Sequence, residues 1–506
     1  MKNENWRNKG ILLAMLIGVL MASLDNTIVS TAMPTIISNL GGFEIFSWVL
    51  SAYLLTSTAL MPIFGKLSDV FGKKKIYLVG LTIFILGSML CSISNSMIEL
   101  IIYRSIQGIG AAILFPITYA MIADIFPLEE RGKMEGILAA VFGISSVTGP
   151  LLGAIFTQYL SWHWIFLINI PLGLIGIALI SSLYHEKKDL NKVNIDYGGA
   201  ITLCLALTTT IFSFSFLERS NKFFSPQVMG LFFLALILFL MFLFFEKRAK
   251  EPIVPFSIFS GKVISAISIS FLTGVIIIAA SSYIPLFVQG ILERTAITTG
   301  YIVIPMMLSL VVSAAISGFL MTHFSFRSIM IVAALFISTG TFLLSNLEIQ
   351  TSFNYILVSM IFLGLGLGPL MPIPMIITQI SVPKNFVSVS SSLVEFFRNI
   401  GMIIGISFSS IFINKYLNAK IINNEKLENS LSGEILQPQV LFSPSFKSEN
   451  NHEIVSLLKE AFCTGVSNIF FTCTLIAILC LIFSFTIGNS RLLGNNQQKS
   501  SSNSIG

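Results

Sequence analysis

Residues 11 to 33 read ILLAMLIGVLMASLDNTIVSTAM, a run long enough to cross a bilayer and interrupted by one carboxylate, Asp25. About 20 predominantly apolar residues span the hydrocarbon layer as a helix. An acid inside such a run is costly enough to be a functional candidate by default. The run is too long for the core of a signal peptide and has no small-residue cleavage site before Pro34, which makes it a mature helix. Further apolar runs follow at 46–64, 76–93, 98–121, 135–157, 164–183, 198–217, 226–245, 262–283, 299–320, 327–344, 354–379, 387–414 and 467–487. The sequence therefore predicts an all-α polytopic membrane protein with fourteen spans.

The composition agrees. Of 506 residues 54% are hydrophobic and only 11% charged, with 44 Phe and 19 Met; the mean hydropathy is +0.86. That few charges cannot cover a water-soluble surface, so a soluble enzyme is excluded. The net charge of +6 would suggest nucleic acid in a soluble chain, but here Lys and Arg sit between apolar runs and report topology. No nucleic-acid partner is expected. The five Cys lie in or beside apolar stretches without metal spacing and read as small buried side chains.

With a cytoplasmic N-terminus, Lys2, Arg7, Lys9, Lys66, Lys73, Lys74, Lys75, Arg131, Lys133, Lys187, Lys188 and Lys192 fall on the cytoplasmic side, as do Lys247, Arg248, Lys250, Lys262, Arg327, Lys384, Arg491 and Lys499, while five more lie in the long loop before the last span. The short outer loops hold only Arg219, Lys222 and Arg294. Both termini are thus predicted to be cytoplasmic.

GKLSDVFGKK, residues 65 to 74, is echoed by GFLMTHFSFR, residues 318 to 327: Gly, Leu two positions on, a basic residue nine on. Aligning the two loops pairs spans 1–6 with 9–14 and leaves spans 7 and 8 over, a 6 + 2 + 6 plan. Repeated halves around a midplane site are how secondary transporters are built. The expected units are a bundle over 1–183, an inserted pair with flanking cytoplasmic loops over 184–261, and a second bundle over 262–487. The last includes a polar outer loop at 416–466 with an amphipathic helix at 452–462. A disordered cytoplasmic tail, 488–506, completes the chain.

Charged residues inside spans are few. Asp25 can carry a proton when desolvated or pair with a cationic substrate. Arg104 shares a helix face with Gln107, Gly108 and Ala111, at i+3, i+4 and i+7, so that face looks inward. An always-charged guanidinium beside a carboxylate that gains and loses a proton is a coupling device. Ser145, Gly149, Gly153 and Thr157 form a small-residue stripe beside Pro150, and Gly364, Gly368 and Pro372 another; each packs a neighbouring helix or marks a bend. Asp69, followed by Gly72, Lys73, Lys74 and Lys75, can cap a neighbouring helix or pair with a base, closing the halves on the cytoplasmic side. Asp124 and Arg131 are the nearest loop partners. Glu395 and Arg398, on a polar stripe with Ser388, Ser391, Ser392 and Asn399, either neutralise each other or contact substrate.

Together these motifs resemble the major facilitator superfamily, in particular its fourteen-span drug:proton antiporters. LDNTIVSTAMPTI from Leu24 looks like that group's first-span motif, and GKLSDVFGKKK from Gly65 resembles the superfamily loop motif. YRSIQGIGAA from Tyr103 and GPLLGA from Gly149 resemble the fourth-span and antiporter motifs; WHWIFLINIPLG, Trp162 to Gly173, is similar to a further segment of the group. Val70, Ser145, Ala154 and His163 depart from the usual residues. The resemblance implies that Asp25 and Arg104 serve proton or substrate coupling. It likewise implies that Gly65, Asp69, Gly72, Lys73, Lys74, Asp124 and Arg131 form a cytoplasmic gate and that Gly149, Pro150 and Gly153 form the flexible antiporter element. Relatives exporting dications carry acids in spans 2 and 10, where this chain has none.

The expected function is a proton-coupled exporter of amphipathic drugs in a bacterial cell membrane, working as a monomer with no cofactor beyond the coupling proton. A dedicated exporter of one antibiotic or metabolite is the alternative. A membrane-embedded enzyme is remote, since His163, His185, His323 and His452 form no H-E-x-x-H and no G-x-S-x-G is present.

Overall fold

The computed structural model describes residues 2–42, 45–186, 196–220, 225–249, 252–294, 296–422 and 452–489. Among these residues there are helices and no strands, as expected where lipid cannot satisfy open backbone groups. In chain order the helices are α1 (Lys2–Leu40), α2 (Ser47–Ala59), α3 (Met61–Phe71), α4 (Lys73–Ser92), α5 (Met97–Ile125), α6 (Leu128–Tyr159), α7 (Trp164–Leu167), α8 (Asn169–Leu183) and α9 (Tyr197–Ser220). They continue with α10 (Pro226–Arg248), α11 (Gly261–Gly290), α12 (Ala296–His323), α13 (Phe326–Ser345), α14 (Phe353–Leu370), α15 (Pro372–Ser381), α16 (Val387–Ile422) and α17 (His452–Thr486). Serine starts several of them: Ser96, Ser225, Ser260, Ser325 and Ser352 each accept the N–H three residues on, satisfying a donor the helix leaves open.

Twelve helices among the described residues are long and apolar enough to span, and thirteen if α2 and α3, bent by 43° at Leu60, count as one. By that measure the described residues do not reach the expected fourteen. The run at 198–217 does form a helix, α9, but its apolar part is the shorter stretch Gly198–Phe214. Thr202, Thr209, Thr210 and Ser213 dilute it, each turning its hydroxyl back onto a carbonyl one turn earlier. The last helix also differs from expectation. Residues 452–462 are its first turns rather than a separate loop helix, because Leu458, Phe462, Val466 and Phe470 continue one buried stripe. The central part of the expected outer loop, 423–451, the loop 187–195 and the tail from 490 lie outside the described residues.

Two cores organise the molecule, one built mainly on α1, α4 and α5, the other on α11 to α15 and α17. They meet along two seams, α3 against α16 and α6 against α12. Glycine allows both. A Cβ at Gly65 would lie 2.5 Å from Ser392 Oγ and 3.0 Å from the Ser388 carbonyl, and one at Gly318 would lie 2.7 Å from the carbonyl carbon of Gly132. Helix α9 packs on α10 and also on α2 and α16, so α9 flanks the first seam. Trp48 on α2 meets Phe212 on α9 at 5.2 Å between ring centroids.

A second internal repeat becomes visible once the packing is known. Gly108, Gly110, Pro116 and Pro127 recur at identical spacing as Gly364, Gly366, Pro372 and Pro383. Gly108 presses on α2 through Tyr53 and Thr56, and Gly110 on α4 through Phe84; Gly364 presses on α12 through Met306 and Ser309, and Gly366 on α13 through Ala333 and Ile337. In each half the helix is wedged between the same two neighbours. A Cβ on Gly110 would sit 2.6 Å from the Phe84 amide nitrogen, where only backbone could yield. Gly110→Ala is expected to destabilise the first bundle by about 1–3 kcal/mol, read as a lower melting temperature of the purified protein in detergent.

Candidate functional site

Asp25 lies sealed inside the first core, 1% exposed, beside Arg104, which is fully buried. Helix α5 puts Arg104 and Gln107 on one face because they are three residues apart. The guanidinium NH1 donates to Asp25 Oδ2 and to Gln107 Oε1, the latter at 2.7 Å. Gln107 Nε2 donates to Asp25 Oδ1 at 2.8 Å and to Ser88 Oγ at 2.7 Å. Asn169, the first residue of α8, adds Nδ2 to the same two oxygens at 3.3 and 3.2 Å. The guanidinium lies 4.2 Å over the Tyr53 ring, whose hydroxyl donates to the Ala22 carbonyl. Both Asp25 oxygens are thus engaged. The three residues expected to act together are together; Asn169, Ser88 and Tyr53 complete the site. An amide within the apolar segment WIFLINIPLG was a readable signal for Asn169, whereas Ser88 and Tyr53 gave none.

The small-residue stripe of α6 presses on the helix that carries Asp25. Ser145 Oγ lies 2.8 Å from Ser23 Oγ, and Thr27 Oγ1 donates to the Ser145 carbonyl at 3.0 Å. Gly149 rests on Thr27 and Ile28, Gly153 on Ile28 and Thr31. Helix α6 runs through Pro150 without interruption.

Asp69, in the last turn of α3, reaches across the seam to the first turn of α16. Its Oδ1 accepts from Ser388 N at 3.3 Å and its Oδ2 from Val389 N at 3.2 Å. Open donors and the positive end of the helix dipole make this an anion site. Gly72, at φ 94°, is in the left-handed region and turns the chain into α4. There Glu186 caps the first turn, accepting from Lys73 N at 2.7 Å and Lys74 N at 3.3 Å. Lys73 Nζ pairs with Asp124 at 2.5 Å, and Lys74 Nζ donates to the Ser181 carbonyl at 2.7 Å. Arg131 sends NH2 and Nε to the carbonyls of Ala123 and Phe126, capping the end of α5. Tyr184 lies beside this group, its hydroxyl pKa pushed above the usual phenol range by burial and by the Asp124 and Glu186 carboxylates. Asp69 alone of these residues crosses between halves; Lys73, Asp124 and Glu186 brace the first. Glu186 could not be found from the sequence, because only folding brings it to α4.

Glu395 and Arg398 on α16 form an ion pair at 3.0 Å, both nearly fully buried, the mutual neutralisation that their spacing suggested. Beside them lies Glu135, an acid at the start of an apolar run that the sequence reading passed over. Among the described residues no group of His, Cys, Asp and Glu could hold a metal.

The profile of the Major Facilitator Superfamily matches residues 15–406. Multidrug resistance protein 3 of Bacillus subtilis is 35% identical over 490 residues, covering 96% of this chain and 96% of that protein. Multidrug transporter protein MdtP of the same species is 34% identical over 496 residues, covering 93% and 92%. Among solved structures, the proton:xylose symporter XylE bound to 6-bromo-6-deoxy-D-glucose superposes with a TM-score of 0.65 at 13% identity, over 97% of this chain and 98% of that one. The human organic anion transporter MFSD10 superposes with a TM-score of 0.59 at 12% identity, over 93% and 99%. At such identities the likeness is one of fold.

Proposed function

The chain belongs to the Major Facilitator Superfamily, and from that membership we propose a proton-coupled antiporter that exports amphipathic drugs or related toxic small molecules across a bacterial cytoplasmic membrane. It is a transporter and not an enzyme. Two relatives covered almost end to end carry multidrug resistance and multidrug transport in their names, which supports the substrate class. We read α9 as the seventh of fourteen spans in the 6 + 2 + 6 plan, with bundles over 1–183 and 262–487, both termini cytoplasmic and the monomer as the working unit.

The observation that carries the coupling is the Asp25–Arg104 pair. Arg104 keeps its charge at any physiological pH, so Asp25 is the member of the network that exchanges a proton. Protonating it leaves a buried guanidinium uncompensated, which costs about 3–5 kcal/mol when one partner of a buried pair is lost. Proton binding therefore favours any arrangement that rehydrates Arg104, and the stripe of Ser145, Gly149 and Gly153 against α1 is where such a shift passes between helices. The seating of Asp69 on α16 supports a reading in which the cytoplasmic side is closed in this conformation.

The driving force is sufficient: about 2.3 kcal/mol per charge per 100 mV and about 1.4 per pH unit. One proton then supports a gradient of roughly a hundredfold or more. In reconstituted vesicles an imposed acid gradient should drive counter-movement of a fluorescent amphipathic drug, abolished by a protonophore. Drug movement indifferent to the gradient would refute the coupling.

A further inference from the structure

Among the described residues, every hydrogen-bond partner of Asp25 is a donor. Arg104 NH1 reaches its Oδ2, while Gln107 Nε2 and Asn169 Nδ2 reach its Oδ1 at 2.8 and 3.3 Å. That suits a bare carboxylate, which only accepts. A protonated one must also donate, and here its hydrogen would meet an N–H on either oxygen. Leaving that bond unmade in a sealed site is costly. One of the three contacts therefore has to turn when the proton arrives.

Donor and acceptor capacity decides which. A guanidinium has no acceptor to offer. Gln107 is held at both ends: its Oε1 takes Arg104 NH1 at 2.7 Å and the Cys91 thiol at 3.8 Å, and its Nε2 is shared between Asp25 and Ser88. Turning it would set its N–H groups against those of Arg104. Asn169 is bound differently. Only its Nδ2 is engaged, at 3.3 Å to Asp25 Oδ1 and 3.2 Å to Ser88 Oγ, each longer than the Gln107 bond to the same oxygen. Its Oδ1 is buried and has no partner. A half-turn of the amide exchanges Oδ1 and Nδ2 at nearly the same positions and brings an acceptor to Asp25.

We propose that Asn169 is the positioning residue that reads the protonation of Asp25: its amide donates to the bare carboxylate and turns over to accept the hydrogen of the protonated one. The proton arrives on Asp25 Oδ1 and leaves from it; Asn169 makes and breaks hydrogen bonds only. Ser88 follows, its rotatable hydroxyl changing from acceptor to donor toward the same amide. The other titratable groups facing Asp25 are Arg104 on α5, Tyr53 on α2 and Cys91 on α4, and none of them offers an unengaged acceptor as Asn169 does. Asn169 is the first residue of α8, which packs on α1 and α4. The turn thereby ties the protonation of a residue on α1 to the seating of α8.

The assignment rests on the proton-coupled export reading, and its test separates the two. Full-length protein in vesicles is given ethidium in two modes: export driven by an imposed acid gradient, and exchange of labelled for unlabelled ethidium without one, which needs no proton on Asp25. Asn169→Leu, similar in size and unable to donate or accept, should lower driven export at least about tenfold and leave exchange within about twofold of wild type. Asn169→Asp, of the same length, keeps an acceptor beside Asp25 and makes two carboxyl groups share a proton; the pH midpoint of its driven export should move by at least about one unit. Driven export by Asn169→Leu at the wild-type rate overturns the assignment. Loss of export and exchange together overturns it too, because that marks a packing role. Should Asn169→Leu not fold, an unmoved midpoint in Asn169→Asp overturns it alone. Wild-type vesicles that exchange ethidium yet ignore the gradient overturn the coupling and this assignment with it.

Discussion

Asp25→Asn is expected to abolish proton-driven export while the protein still reaches the membrane. The amide is nearly isosteric and can still accept from Gln107 Nε2 or Asn169 Nδ2, which now reach Asp25 Oδ1 at 2.8 and 3.3 Å, so the bundle should assemble. What is lost is the charge. Arg104 has no exposure to solvent and would stand without its counter-ion. The cost, about 3–5 kcal/mol, corresponds to a factor of roughly a hundred or more in any equilibrium that it opposes. The variant is thereby held in the arrangement that protonation normally produces, and no longer responds to protons. Export under an imposed acid gradient should fall to background, at least about a hundredfold below wild type on that conversion. Resistance of cells expressing it should fall in parallel, with membrane levels checked by immunoblot. Full resistance with normal expression would remove Asp25 from the coupling role.

The second large effect concerns the proposed gate at the α3–α16 seam. Asp69→Ala removes the carboxylate that accepts from Ser388 N and Val389 N. Each charge-assisted hydrogen bond contributes about 1.5–3 kcal/mol, and the helix dipole adds a few tenths to 1; water replaces part of this in the variant. A net loss of about 2 kcal/mol shifts the closed-to-open ratio about thirtyfold. Transport should drop about tenfold with substrate binding largely kept, because the Asp25–Arg104–Gln107 group is untouched. The direct readout is a cysteine placed at Ser392, which lies against Gly65 in the closed seam. A membrane-impermeant thiol reagent added from the cytoplasmic side should label it markedly faster in the Asp69→Ala background. Unchanged labelling together with unchanged transport would strip Asp69 of the gate role. Asp69→Asn should fall between, since its carbonyl can still accept one of the two bonds.

Asp69 illustrates how far local sequence reaches. That it would cap a neighbouring helix or pair with a base was readable from a lone acid beside Gly72 and three lysines; which of the two, and that the helix would be α16, was not. The expected partners Asp124 and Arg131 are used within the first half instead, one on Lys73 and the other on the carbonyls ending α5. Glu135 was missed for a related reason. Counted as the first residue of an apolar run, it looked like a boundary, and only the neighbours brought up from α16 make it an interior charge.

The chain's apolar periodicity and its spacing of charges determined the helical membrane fold, the positions of the helices and the membership of the Asp25–Arg104–Gln107 group. These depend on the local cost of exposing backbone or charge to lipid, which each segment meets alone. Tertiary structure decided which partners complete each carboxylate, and where the two halves touch. Hydrogen bonds and ion pairs between distant helices are fixed by packing, where a missing Cβ at Gly65 or Gly318 sets how closely two helices approach, and no window of sequence contains both sides of such a contact.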